Sequence, residues 1–79
     1  MKIKVKLFGS LTTVVPGYLP DKGLDVGLPA GSRAADLLAL LGIPHPRLAT
    51  LIADGRVLKP EDKLSSKSVI NIFHVMYGG

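Results

Sequence analysis

The sequence contains no cysteine. This absence excludes disulfides, thiolate nucleophiles, iron–sulfur clusters and most structural zinc sites. Phosphate-binding loops, dinucleotide-binding glycine motifs and metal-ligand spacings are also missing. The two histidines, His45 and His74, are far apart and have no evident chemical partner, and the acidic residues form no clear pair. We therefore expect no active site made of side chains, no metal site and no bound cofactor.

Long apolar runs are lacking as well. No segment approaches the roughly 18 apolar residues of a membrane-spanning helix. The N-terminal lysines alternate with apolar residues and do not precede an unbroken apolar stretch, which argues against a signal peptide. A chain of 79 residues has room for one domain. We expect a cytoplasmic, soluble protein with one domain, residues 1–79, and no membrane partner.

The first strand is predicted by the alternation of lysine and apolar residues in KIKVKLFG, residues 2–9. Ile3, Val5 and Leu7 should face the core. The three lysines and Phe8 should then lie on the opposite, open face of the sheet.

The last strand is predicted in VINIFHVMY, residues 69–77. If Ile70 and Ile72 meet the core, Phe73 and Val75 lie on the open face, with Phe73 beside Phe8. Exposed apolar patches on small proteins often mark interaction sites. The alternative is that the loop of residues 10–23 buries this face.

One helix is predicted in GSRAADLLALLG, with Ser32 as the N-cap and Gly42 as the terminating residue. A tight Asp54-Gly55 turn separates two further short strands. One helix can cover only one face of a sheet. The order of elements therefore predicts an α+β fold of the β-grasp (ubiquitin-like) type, a mixed sheet of roughly four or five strands with one main helix packed on one face.

The final residues, Gly78 and Gly79, need an explanation because glycine ends a strand poorly. With no catalytic side chains in view, the candidate reactive group is the main-chain carboxylate of Gly79. Glycine lets a backbone pass through a narrow channel because it has no Cβ. We expect the Gly-Gly tail to be flexible and to be inserted into another enzyme.

In these features the chain resembles the ubiquitin-like sulfur carriers, the MoaD/ThiS group, which comprises the small subunit of molybdopterin synthase and the thiamine-pathway carrier. The resemblance covers nearly the whole chain, through KIKVKLFG, LPAGSRAADLLALLG, ADGRVL and VINIFHVMYGG. The terminal Gly-Gly after an apolar strand is its most specific element.

The resemblance implies a carrier protein that is not itself an enzyme. An adenylating, ubiquitin-activating-like enzyme would use ATP to activate the carboxylate of Gly79, and sulfur transfer would then leave a thiocarboxylate. The acceptor would be the molybdopterin synthase large subunit or thiazole synthase, and chain length favours the molybdopterin branch slightly. The resemblance also implies partner binding through Phe8 and Phe73, with Val75, Met76 and Tyr77 in the adjoining strand end and tail.

Two other functions remain open from the sequence. A ubiquitin-like modifier conjugated to lysines would use the same carboxylate chemistry. A small nucleic-acid-binding module could use the lysines, Phe8 and Phe73 to hold phosphates and stack bases. The sequence has only four aromatic residues and no RNA-recognition signature, so we expect no nucleic-acid partner.

Overall fold

The computed structural model describes residues 1–74. The order of its strands and main helix is the order that the sequence pattern predicts, and two short 3₁₀ segments are added. In chain order they are β1 (Lys2–Leu7), a 3₁₀ helix (Gly9–Thr13), β2 (Leu24–Gly27), α1 (Ala34–Leu41), a 3₁₀ turn (Pro46–Leu48), β3 (Ala49–Ala53), β4 (Arg56–Leu58) and β5 (Val69–His74). None of the helices in this part of the chain is long and apolar enough to cross a membrane.

The strands form one mixed sheet in the order β2-β1-β5-β3-β4. Its centre is the parallel pair of β1 and β5, in which Leu7 is opposite Ile72. The pairings of β1 with β2, β3 with β4 and β3 with β5 are antiparallel. With α1 on one side, this is the ubiquitin-like β-grasp fold that the sequence predicts.

The core lies between the sheet and α1. Ile3, Val5, Leu7, Ile70 and Ile72 are at most 2% exposed, which confirms the predicted inward faces of both central strands. From the helix the buried side chains are Ala34, Leu37 and Leu38. The apolar residues of β1, β5 and α1 thus meet in one cluster.

The helix begins later than the sequence predicts, and Ser32 is not its N-cap. The Ser32 hydroxyl donates to the Pro29 carbonyl at 2.7 Å, and the helix starts at Ala34. Carbonyl oxygens of the 60–62 turn accept from the first backbone N–H groups of the helix, including Ala34 to Asp62 at 2.9 Å. The 60–62 turn, which is distant in sequence, therefore accepts hydrogen bonds from the N-terminal N–H groups of the helix, as the hydroxyl of a capping serine would.

The two predicted turn signals are confirmed. Gly42 ends the helix in the left-handed region, at φ 68°, and its N–H donates to helix carbonyls. Asp54 and Gly55 have φ values of 53° and 77°, so both central residues of the β3–β4 turn have positive φ. This two-residue turn sets the register that places Ile52 opposite Val57.

The loop between β1 and β2 is more ordered than the sequence suggests. Gly9–Thr13 form a 3₁₀ helix whose Leu11 is fully buried, and Tyr18 is 9% exposed. Both residues belong to the hydrophobic core. The loop does not bury the open face, since Phe8 remains 46% exposed, and Phe73 is only partly buried.

Candidate partner-binding face

The two phenylalanines of the open face are neighbours. Phe8 follows β1 directly, and its backbone N–H donates to the Ile72 carbonyl at 3.1 Å, so it continues the parallel pairing with β5. This register brings the rings of Phe8 and Phe73 to a centroid distance of 6.4 Å at an interplanar angle of 79°. Such edge-to-face pairs contribute about 0.5–1.5 kcal/mol beyond their buried area. The prediction that both rings lie together on the open face is confirmed.

Two further apolar residues extend this surface. Ile52 and Val57 are cross-strand partners, and Leu51 and Ala53 on either side of Ile52 are buried in the core. Strand alternation therefore puts Ile52 and Val57 on the open face, where Val57 is 64% exposed. We call Phe8, Ile52, Val57 and Phe73 the apolar patch.

Sequence reasoning missed Ile52 and Val57, although a signal was present. The two-residue Asp54-Gly55 turn fixes which residues pair across the β3–β4 hairpin. Once Leu51 is assigned to the core, that register assigns Ile52 and Val57 to the other face.

The remaining part of the open face is basic. Lys2, Lys4 and Lys6, which we call the lysine stripe, alternate with buried residues of β1. Lys4 forms an ion pair with Asp25 of β2 at 3.4 Å, with both side chains substantially exposed, so the pair adds little stability. The open face thus combines an apolar patch with a row of positive charges.

A buried hydroxyl supports the end of β1 beneath Phe8. The Leu7 backbone N–H donates to the Tyr18 hydroxyl at 2.8 Å, and that hydroxyl donates to the Leu7 carbonyl at 3.2 Å. The pairing of β1 with β2 ends at Val5 and Leu24, so no strand reaches Leu7 on this side. The Tyr18 hydroxyl therefore makes the hydrogen bonds that a neighbouring strand would make to Leu7, the residue before Phe8.

The histidines do not form a catalytic group. The His74 Nε2–H donates to the Pro44 carbonyl at 2.6 Å, which ties the last described residue of β5 to the connector after α1. His45 is exposed, with φ 49°. Within residues 1–74 there is no cluster of three side chains that could hold a metal ion. The described residues thus offer a candidate binding surface on the open face, formed around Phe8 and Phe73.

An apolar groove of about 520 Å³ runs along the other side of the molecule, beside α1. Leu38, Ile43 and Pro46 contribute to its lining. It contains no pair of polar groups positioned for chemistry, so it adds no candidate active site.

Five of the predicted site residues lie outside the part that the structure describes. They are Val75, Met76, Tyr77, Gly78 and Gly79. The roles predicted for them remain predictions.

The comparisons with known proteins agree with the geometry. A central parallel pair flanked by antiparallel strands, with one helix across one face, defines a ubiquitin-like domain. The ThiS family model matches residues 5–79. The chain therefore belongs to the ThiS family of ubiquitin-fold sulfur carriers, small carrier proteins that work with adenylating enzymes and synthase partners. No curated protein sequence is significantly similar to this chain.

Solved structures support the same fold. The protein proposed as molybdopterin converting factor subunit 1 of Pyrococcus furiosus has a TM-score of 0.75 and 19% identity, over 96% of this chain and 99% of its own. Small archaeal modifier protein 1 (SAMP1) of Haloferax volcanii has a TM-score of 0.73 and 17% identity, with 100% of both chains covered. A second structure of that modifier has a TM-score of 0.72 and 16% identity, over 95% of this chain and 98% of the other. At these identities the similarity establishes the fold.

Proposed function

We propose that this protein carries sulfur on Gly79 as a C-terminal thiocarboxylate. The observation that carries the proposal is the family match, which spans residues 5–79 and so includes Gly78 and Gly79. It is supported by the candidate docking face of the described domain, where Phe8 and Phe73 lie together and Phe8 is 46% exposed. The proposal places the protein in the cytoplasm and requires no bound cofactor, since the activating enzyme uses the ATP.

The chemistry explains why a carrier needs a separate activating enzyme. A carboxylate is a poor electrophile because its negative charge repels nucleophiles. Adenylation by ATP forms an acyl-AMP and releases pyrophosphate, which removes that charge and supplies a good leaving group. A persulfide sulfur then displaces AMP, and reductive cleavage of its S–S bond by a thiol leaves the thiocarboxylate. The carrier domain contributes docking and presentation to these steps, and the partner enzymes contribute the reacting groups.

The apolar patch is the proposed docking surface for the adenylating enzyme and for the acceptor synthase. Phe8 and Phe73 would be its anchors, because aromatic side chains are enriched in protein–protein interfaces and often contribute much of the binding energy. Val75, Met76 and Tyr77 would extend the contact towards the glycines. Phe8 and Phe73 lie towards the end of the sheet where β5 leads into residues 75–79, so a partner bound there would be close to the start of the tail.

The sulfur would go to the dithiolene of molybdopterin or to the thiazole of thiamine, and we prefer the first. Chain length and the similarity to the P. furiosus protein favour molybdopterin, whereas the matching family model is that of ThiS. Incubating the thiocarboxylated carrier separately with a molybdopterin synthase large subunit and with a thiazole synthase would distinguish them by which partner accepts sulfur.

The central experiment measures ATP–pyrophosphate exchange with the adenylating enzyme of the same organism. Intact mass first verifies that the carrier ends at Gly79. Adding one alanine after Gly79 displaces the carboxylate by about 3.5 Å, and deleting Gly79 withdraws it by the same length. We expect both changes, and Gly79→Val, to abolish exchange while changing the free energy of unfolding by less than about 0.5 kcal/mol.

Ala39→Val is the control for added bulk away from the docking face. Ala39 is exposed on α1, which lies on the other side of the sheet from the open face. This variant should exchange pyrophosphate like the unmodified chain. Normal exchange by the carrier extended past Gly79 would show that its terminal carboxylate is not the group that reacts.

Conjugation to protein lysines is the second candidate function. It is suggested by the name of the H. volcanii relative, whose similarity to this chain is one of fold. Mass spectrometry of material from the native host separates the two functions. A gain of about 16 mass units on the carrier, sulfur in place of oxygen, indicates a thiocarboxylate, whereas Gly-Gly remnants on lysines of other proteins indicate conjugation.

A further inference from the structure

The open face is divided along β1 into an apolar and a charged part. Phe8, which belongs to the apolar patch, directly follows one end of β1, and the lysine stripe occupies the outward positions of the strand itself. A strand rises about 3.3 Å per residue, so successive lysines are about 6.6 Å apart and Lys2 lies about 20 Å from Phe8. A partner that covers the whole face must match both parts in fixed register.

The charges of the stripe are only partly balanced by the domain itself. Among residues 1–74, one lysine of the stripe, Lys4, forms an ion pair, and its partner is Asp25. Two more lysines border it: the Lys22 carbonyl accepts from the Lys4 ammonium at 3.3 Å, and the Lys67 backbone N–H donates to the Lys2 carbonyl at 2.9 Å. Even with Asp21 and Asp25 counted against these five lysines, this part of the surface keeps a net positive charge.

The area of the open face indicates that a partner would also contact its charged part. Five strands spaced about 4.8 Å apart and about 20 Å long make a face on the order of 450 Å². A standard protein–protein interface buries about 800 Å² on each partner. The whole open face is smaller than a standard interface, and the apolar patch is only part of that face. A partner of standard interface size that binds the patch would therefore also extend over the lysines.

We propose that the adenylating enzyme presents an acidic strip to the lysine stripe, beside an apolar pocket for Phe8 and Phe73. This inference rests on the proposed function and adds the chemistry of the partner's surface. Each carboxylate of the strip would meet one lysine at the strand's spacing of about 6.6 Å. Opposite charges at the edge of an apolar contact mainly accelerate association and fix the register of docking.

The open face fits an acidic protein better than a nucleic acid. The rings of Phe8 and Phe73 are 79° apart, so they do not form parallel platforms on which successive bases could stack. Ile52 and Val57 enlarge the apolar part with aliphatic side chains, which match a protein pocket.

The test measures the carrier KM and kcat of ATP–pyrophosphate exchange with the purified adenylating enzyme. We expect Lys6→Gln to raise KM about threefold and Lys6→Glu about tenfold, with kcat nearly unchanged. The control is Lys59→Glu, which alters net charge equally. Lys59 is exposed and directly follows β4, which β5 and β3 separate from the lysine stripe of β1. Its KM should stay within about twofold of the unmodified value.

Salt provides an independent measurement. Between about 50 and about 300 mM NaCl, KM of the unmodified carrier should rise, and it should rise less for Lys6→Glu, because screening removes an attraction that this variant has already lost. If exchange proceeds but KM is insensitive to salt and equal for Lys6→Glu and Lys59→Glu, the acidic strip is refuted and the carrier function stands. Absence of exchange with the unmodified chain would refute the proposed function and this inference together.

Nucleic acid is tested with a fluorescein-labelled single-stranded DNA oligonucleotide at about 150 mM NaCl. We expect no saturable binding below about 100 µM, the weak limit of non-specific affinities. Tight binding that Lys6→Glu abolishes and Lys59→Glu retains would assign the stripe to nucleic acid and overturn the proposal.

Discussion

Replacing Tyr18 with phenylalanine would test how the open face is supported. The substitution keeps the buried ring and removes only the hydroxyl. That hydroxyl accepts from the Leu7 N–H at 2.8 Å and donates to the Leu7 carbonyl at 3.2 Å. Both bonds are buried, and β2 ends its pairing with β1 at Val5, too early to replace them.

The expected loss follows from the two backbone groups left without partners. Each buried polar group that loses its hydrogen bond costs about 1–3 kcal/mol. The bond to the carbonyl is the longer of the two, and Tyr18 is 9% exposed, so water can compensate part of the loss. We expect the free energy of unfolding to fall by about 2 kcal/mol. In a domain of this size that lowers Tm by about 8–16 °C.

Urea unfolding followed by far-UV circular dichroism measures the change without relying on tyrosine fluorescence. Hydrogen exchange adds a local measurement, because the Leu7 amide should lose its protection. The control is Thr13→Val, which removes an exposed hydrogen bond of 3.2 Å to the Ser10 carbonyl and should cost under about 0.5 kcal/mol. Equal stabilities of Tyr18→Phe and Thr13→Val, with the Leu7 amide still protected, would refute the structural role given to Tyr18.

Three further changes separate stability from binding. Leu38→Ala should cost about 2–5 kcal/mol in urea unfolding because Leu38 is 4% exposed in the core, whereas Leu40→Ala, at a residue 57% exposed, should cost far less. Gly23→Ala should destabilise more than Gly17→Ala in the same assay: both glycines have positive φ, but only at Gly23 would the new Cβ lie 2.8 Å from a β1 carbonyl oxygen. Phe8→Asp should leave the fold intact and weaken binding of the adenylating enzyme by about 2 kcal/mol in calorimetry, and unfolding of this variant would contradict its assignment to an exposed surface.

The central strands could be predicted from the sequence because their signals are local. Alternation in β1 and the paired isoleucines of β5 identified the core face, and the same parity put Phe8 beside Phe73. Gly42 and the Asp54-Gly55 turn were also correct, since positive φ restricts the residues that can occupy such positions.

What sequence reasoning missed depends on contacts between distant segments. Ser32 has the side chain of an N-cap, but it bonds to Pro29, and the 60–62 turn satisfies the helix instead. Tyr18 lies in a segment rich in glycine and proline, where no periodicity shows that its hydroxyl meets Leu7, 11 residues away. Ile52 and Val57 were missed because the alternation of inward and outward residues was not extended from Leu51 across the Asp54-Gly55 turn. The roles of Gly78 and Gly79 follow from the family and its chemistry and stay predictions.

The position of β5 has a consequence for how the domain folds. β1–β2 and β3–β4 are hairpins formed by neighbours in the sequence, but only β5 joins them into one sheet. Its pairing with β1 links residues as distant as Lys4 and Val69. Such long-range pairings slow folding because the intervening chain must be closed first. The two hairpins can therefore form early, whereas the apolar patch, which takes Phe8 from the first hairpin, Ile52 from the second and Phe73 from β5, exists only after β5 has inserted. A partner that recognises this patch would thereby distinguish finished carriers from incomplete ones.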